Sequence, residues 1–139
     1  MKIINFKDLE VWKDAIYITK EIYDISSEPI FAKDFGLRDQ IRRAVVSISS
    51  NIVEGFEKNN NNEFARYLRI AKGSVGEVRN QLEIAHIVGY LSIDKLQKLD
   101  EKLLLLASKI GSLLRYLINQ KKSTIYDPTR NSLPVTRNT

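Results

Sequence analysis

Residues 37–56, Leu-Arg-Asp-Gln-Ile-Arg-Arg-Ala-Val-Val-Ser-Ile-Ser-Ser-Asn-Ile-Val-Glu-Gly-Phe, constrain the fold more than any other stretch of the chain. Leu37, Ile41, Ala44, Ile48 and Ile52 recur at spacings of three and four, so on a helix they share one face that must be covered. Gln40, Arg43, Ser47, Asn51 and Glu54 form a second ladder at the same spacing, beside the apolar one. Polar groups so close to a core are partly desolvated and need partners. Val46 and Val53 fall on a third side, where a solvated helix would carry charge, and with Leu105 they are the candidate contacts to a second protomer.

The rest of the chain supplies helices for this one to pack on. Residues 8–27 place Leu9, Val11, Trp12, Ala15, Ile16, Ile18, Ile22, Tyr23 and Ile25 over about half a helical wheel. Trp12 reads as core, with its indole N–H near a polar edge. Pro29 ends that helix by Ser27, and residues 28–35 form a connection long enough for a crossover. Asp34 is the expected cap of the second helix, which starts near Gly36. Residues 55–62 read as a turn, after which Asn60-x-x-Glu63 offers a capping box. Phe64, Leu68, Ala71, Val75, Val78, Leu82 and Ala85 line the third helix, which ends at Val88 with Gly89 as its stop. Ser92 caps a fourth helix to about Gln120, with Leu96, Leu99, Leu103, Leu106, Ile110, Leu113, Leu114 and Leu117 inward. The pattern predicts an all-α, antiparallel four-helix bundle over residues 1–122, followed by a polar, flexible C-terminal tail over 123–139.

These residues also carry a family resemblance. Gln-Ile-Arg-Arg-Ala-x-x-Ser-Ile-x-x-Asn-Ile-x-Glu-Gly, at residues 40–55, resembles the signature of the bacterial four-helix-bundle or 23S rRNA intervening-sequence proteins. Phe6-x-Asp8-Leu9-x-Val11-Trp12-x-x-Ala15, Phe35-Gly36-Leu37, Glu63-Phe64-x-x-Tyr67-Leu68, Ala71-x-Gly73-Ser74-x-x-Glu77-x-x-x-Gln81-Leu82 and Gly89-Tyr90-Leu91 extend it over about residues 5 to 120. The resemblance implies a helical bundle that forms a ring, a pentamer in similar proteins. The accessory protein of diversity-generating retroelements, also related, is a basic pentamer that binds nucleic acid and a reverse transcriptase. Two positions depart from the pattern. Ser49 stands where the family usually has proline, and residues 59–62, four asparagines, replace a turn often rich in Lys and Arg.

The absence of cysteine removes disulfides, thiolate zinc sites and thiol catalysis, and fits a cytoplasmic protein. No apolar run reaches membrane-spanning length. Lys72-Gly73-Ser74-Val75-Gly76 lacks the GxxxxGK[ST] spacing of a phosphate loop and reads as small residues for close helix approach. His86 is the only histidine, so no metal or cofactor is expected. Glu54 and Glu77 could suggest acid–base chemistry, but Arg43 falls near the level of Glu77 across the second turn and would favour the charged carboxylate, unlike a general acid. A structural network of Gln40, Arg43, Ser47, Asn51, Glu54, Ser74, Glu77 and Gln81 is expected instead.

The net charge is +5, and residues 91–122 alone contribute +4. Lys95, Lys98, Lys102 and Lys109 recur along one side of the fourth helix, with Tyr116 at the far end and Asp94, Asp100 and Glu101 turned elsewhere. Such a stripe can neutralise phosphates without reading sequence. The expected function is binding without catalysis, with RNA or single-stranded nucleic acid as partner; a protein-adaptor role is the alternative.

Overall fold

The computed structural model describes residues 3–120; the predicted tail over 123–139 lies outside them. A 3-10 turn, Phe6–Asp8, held by the Asn5 side chain on the Lys7 N–H, leads into α1 (Glu10–Ser26). A single turn, α2 (Pro29–Ala32), precedes three longer helices, α3 (Phe35–Glu57), α4 (Asn61–Ile87) and α5 (Ile93–Asn119). At 1.5 Å per residue α4 and α5 each run about 40 Å. Packing joins α1 to α3, α3 to α4, α4 to α5 and α5 back to α1, so the four main helices close an antiparallel bundle. The α3–α4 pair is the most extensively packed and α1–α5 the least.

The capping expectations hold because they depend on neighbours in sequence. Asp34 Oδ1 accepts from the Leu37 N–H at 3.1 Å, Asn60 Oδ1 from the Glu63 N–H at 3.0 Å and Ser92 Oγ from the Lys95 N–H at 3.2 Å. Glu63 itself turns to Arg66, which holds its carboxyl below the usual range by donating hydrogen bonds to it. Gly89, at φ 91°, stops α4 and lets the Tyr90 N–H reach the Ala85 carbonyl at 2.8 Å. Asn59 takes φ 54° in the α3–α4 turn, a conformation that Asn tolerates better than most residues.

The first connection is the long one, as expected, and it carries a short helix that the sequence pattern did not mark. No crossover is made: α1 and α3 are antiparallel neighbours, and α2 fills the link. Pro29 at its first turn is preset for helix, and Phe31 on it is fully buried against Tyr90. Tyr90 donates to Asp34 Oδ2 at 3.0 Å, which ties the α4–α5 turn to the start of α3. The opposite end is closed by Phe56 on Phe64, edge to face at 5.8 Å. Every inward residue predicted for α3, α4 and α5 is buried except Leu37 and Leu113, which are partly covered.

Two expectations are corrected. Ile16 and Tyr23 belong to the apolar half of α1 in sequence but are exposed, because among the described residues the long helices cover α1 on two sides only. Gly73 and Gly76 do not admit a close helix. A Cβ on either would meet nothing within 4 Å, and both face outward. Gly55 is the close-approach glycine instead, since a Cβ there would lie 2.6 Å from Tyr67 Cβ and 3.3 Å from the Phe64 carbonyl oxygen. Ser49 continues α3 unbroken and donates its hydroxyl to the Val46 carbonyl at 3.2 Å.

Candidate nucleic-acid interface

The four lysines of α5 do share one side, and that side faces α1. Lys95 Nζ lies 2.9 Å from Glu28, Lys102 binds Glu21, and Lys109 Nζ lies 2.8 Å from Asp14 and 3.6 Å from Glu10. Asp14 as acceptor is the main reason that the Lys109 ammonium is held above its ordinary pKa. Lys98 pairs with Asp94 at 3.3 Å, so Asp94 does not point elsewhere as its wheel position suggested. Asp100 does, reaching α4, where Arg79 grips it through two bonds of 2.7 and 3.3 Å. That grip raises the Arg79 pKa further. The stripe is therefore a row of ion pairs, in which α1 supplies the partners of Lys102 and Lys109, the α1–α2 link that of Lys95 and α5 itself that of Lys98.

Leu105 sits within the same row. With Tyr17 and Ile18 it floors a groove of about 330 Å³ between α1 and α5, whose edges are Asp14, Glu21, Lys102 and Lys109. Tyr17 is 72% exposed and Leu105 57%, so the groove presents apolar surface between charged rims. Val46 and Val53 lie on the other side of α1. Val46 borders a groove with Tyr23, Asp39, Arg42, Arg43 and Ser47, and Val53 one with Phe6, Trp12, Ser49, Ser50 and Glu54. The three candidate protomer contacts thus flank α1 on both seams rather than forming one patch. Trp12 is half-buried, with Phe6 edge-on at 5.3 Å. Tyr116 is exposed at the end of the lysine row.

The expected polar ladder is real only at its centre. Asn51 donates to the Ser47 carbonyl and Oγ at 2.8 and 2.9 Å, and Ser47 Oγ meets Ser74 Oγ at 2.9 Å, bridging α3 to α4. Glu54 accepts from the Tyr67 hydroxyl at 3.1 Å. Gln40, Arg43 and Glu77 are exposed, and no ion pair joins Arg43 to Glu77 or Glu54 among the described residues. Gln81 is buried, with its Oε1 left without a partner. The single eight-residue network does not form, because the wheel places its outer members one step too far from the α3–α4 contact line.

The residue that sequence reasoning missed is Arg42, adjacent to the arginine it chose. Its Nε and Nη2 donate to Ser26 and Ser27 at 2.9 and 3.0 Å, and its guanidinium lies 4.6 Å from the centre of the Tyr23 ring. It ties the end of α1 to α3. The signal was present as Ser-Ser at a helix end, but the partner could not be read without the α1–α3 register. Among the described residues no group of three or more His, Cys, Asp or Glu could hold a metal, and His86 Nδ1 donates to the Leu91 carbonyl at 2.8 Å. No helix of the described residues is long and apolar enough to cross a membrane.

The geometry defines a class: an all-helical bundle of four main helices with charged seams. The family model of the 23S rRNA-intervening sequence proteins matches residues 7–112, and the chain belongs to that family. Among solved structures, the fold is similar to that of a protein of unknown function from the S23 ribosomal protein family of Bacteroides thetaiotaomicron. The TM-score is 0.64 at 22% identity, over 79% of this chain and 99% of that one. No curated protein matches the chain.

Proposed function

We propose that this protein is a non-enzymatic, cytoplasmic bundle that assembles into a ring, a pentamer by resemblance, and binds RNA or single-stranded nucleic acid through basic outer helix faces. The observation behind this reading is a set of cations that folding leaves without ion pairs. Each lysine of the α5 row has a carboxylate partner, whereas Arg43, Arg69, Lys72 and Arg115 on α3, α4 and α5 have no carboxylate within ion-pair distance among the described residues. A phosphate backbone is the partner that such a surface suits, and the family's name associates its members with inserted ribosomal RNA sequences. At the α1–α5 seam each exposed lysine would exchange a carboxylate for a phosphate, a change of small net energy. Exposed Val46 and Leu105 support self-association, which multiplies weak contacts.

The apolar groove floored by Tyr17 and Leu105 favours a second reading, an adaptor that docks a protein segment. Affinity for a generic RNA over a salt series separates the two. Nucleic-acid binding requires a steep fall with salt. A flat response, or no binding in low salt, supports the adaptor.

A further inference from the structure

The seam between α4 and α5 contains an arrangement that neither the lysine row nor the polar ladder accounts for. Arg115 runs back along α5 as long helical side chains do, donates from Nη2 to Ser112 Oγ at 3.1 Å, and brings Nη1 over Gly111. Lys72 reaches the same place from α4. A Cβ built on Gly111 would be 3.6 Å from Arg115 Nη1 and 3.8 Å from Lys72 Nζ, so both cationic groups border one small volume. Among the described residues neither has a carboxylate within ion-pair distance, although eight other Lys and Arg residues do. Two like charges over one point repel unless an anion joins them.

Gly111 is the second observation. Glycine inside a helix costs stability relative to alanine, and a packing reason normally compensates for it. Gly111 is buried, yet the nearest atoms to an added Cβ are not helix backbone but the ends of those two flexible side chains, at ordinary van der Waals distance. Glycine leaves bare backbone beneath two cations beside a hydroxyl.

We propose that Lys72, Arg115 and Ser112, arranged over the bare backbone of Gly111, form a phosphate cradle that takes a phosphodiester of a single-stranded nucleic acid backbone. The guanidinium supplies directed donors, the ammonium a point charge, and Ser112 Oγ a neutral partner. This rests on the nucleic-acid reading and assigns its contact to the α4–α5 seam rather than to the ion-paired α1–α5 row.

The test is fluorescence anisotropy of a labelled oligouridylate with the full chain over a salt series. It compares wild type with Lys72→Gln/Arg115→Gln, Gly111→Ala, and Lys95→Gln/Lys98→Gln/Lys102→Gln/Lys109→Gln. The cradle predicts that the double variant binds about tenfold or more weakly in low salt, with a log–log slope shallower by roughly 0.7 for each phosphate that is no longer neutralised. It also predicts that Gly111→Ala, which keeps both charges, weakens binding severalfold while its thermal midpoint is unchanged or higher. Wild-type binding that survives the double variant but disappears in the four-lysine variant overturns the cradle and leaves the nucleic-acid reading standing. No wild-type binding in low salt overturns both.

Discussion

Replacing glycine by alanine at three positions of one bundle should give opposite signs, and the structure supplies the magnitudes. At Gly55 the new methyl would meet Tyr67 Cβ at 2.6 Å and, at 3.2 and 3.3 Å, the Phe64 ring and carbonyl oxygen. A Cβ and a carbonyl oxygen cannot swing aside, so α3 and α4 must separate along their best-packed line. Overpacking of this kind costs about 1–3 kcal/mol. A 2.6 Å approach of two Cβ atoms belongs in the upper part of that range, about 2–3 kcal/mol, so the roughly 1 kcal/mol of helix propensity that alanine recovers leaves a net destabilisation of about 1–2 kcal/mol. At Gly73 and Gly76 the methyl meets nothing within 4 Å, so the propensity gain of about 0.5–1 kcal/mol each stands alone. Urea unfolding followed by circular dichroism reads the difference, with the Gly55→Ala midpoint falling by roughly 0.5–1 M and the other two rising. A Gly55→Ala protein as stable as wild type would refute the close α3–α4 approach on which the fold depends. Lower stability at Gly73 or Gly76 would show that another chain covers that face.

Arg42→Ala should destabilise by about 1–2 kcal/mol, because it removes two hydrogen bonds and a cation–π pairing, whereas Arg43→Met and Glu77→Ala should each stay within about 0.5 kcal/mol in the same unfolding assay. Arg79 and Asp100 should show a coupling of about 0.5–1 kcal/mol in a double-mutant cycle, reduced from a buried pair's value because Arg79 is 40% exposed. Tyr90 ionises above the ordinary tyrosine range, first because its proton is held by Asp34, and then through burial. The neutral phenol is therefore favoured in the folded state. Its contribution is present below pH 10 and disappears as pH rises through the higher folded value, so Tyr90→Phe should remove one late-titrating group from the ultraviolet absorbance titration.

How much was legible follows from how far each interaction reaches along the chain. Asp34, Asn60, Ser92 and Gly89 were readable because a cap and the backbone it serves are within a few residues. The inward faces of α3, α4 and α5 were readable because helical period fixes them. Partners across helices were not. Lys95, Lys102 and Lys109 have the spacing of a free basic stripe, and only the α1–α5 register shows that Glu28, Glu21 and Asp14 repeat opposite them at a matching spacing. Arg42 and Arg43 are adjacent on α3 and point about 100° apart, and only the α1–α3 packing shows which one meets α1. The glycines failed for a related reason, since sequence marks a position as small without saying whether a helix, solvent or a ligand occupies the space. Gly55, Gly73 and Gly111 give three different answers.

The most direct test of the proposed function is sedimentation velocity of the full chain alone and with a labelled generic RNA, in low and in high salt. A ring that binds nucleic acid should sediment as a stable oligomer, with five times the mass of the chain, that carries the RNA with it in low salt and releases it in high salt. A monomer at micromolar concentration that leaves the RNA sedimenting on its own in low salt would contradict it.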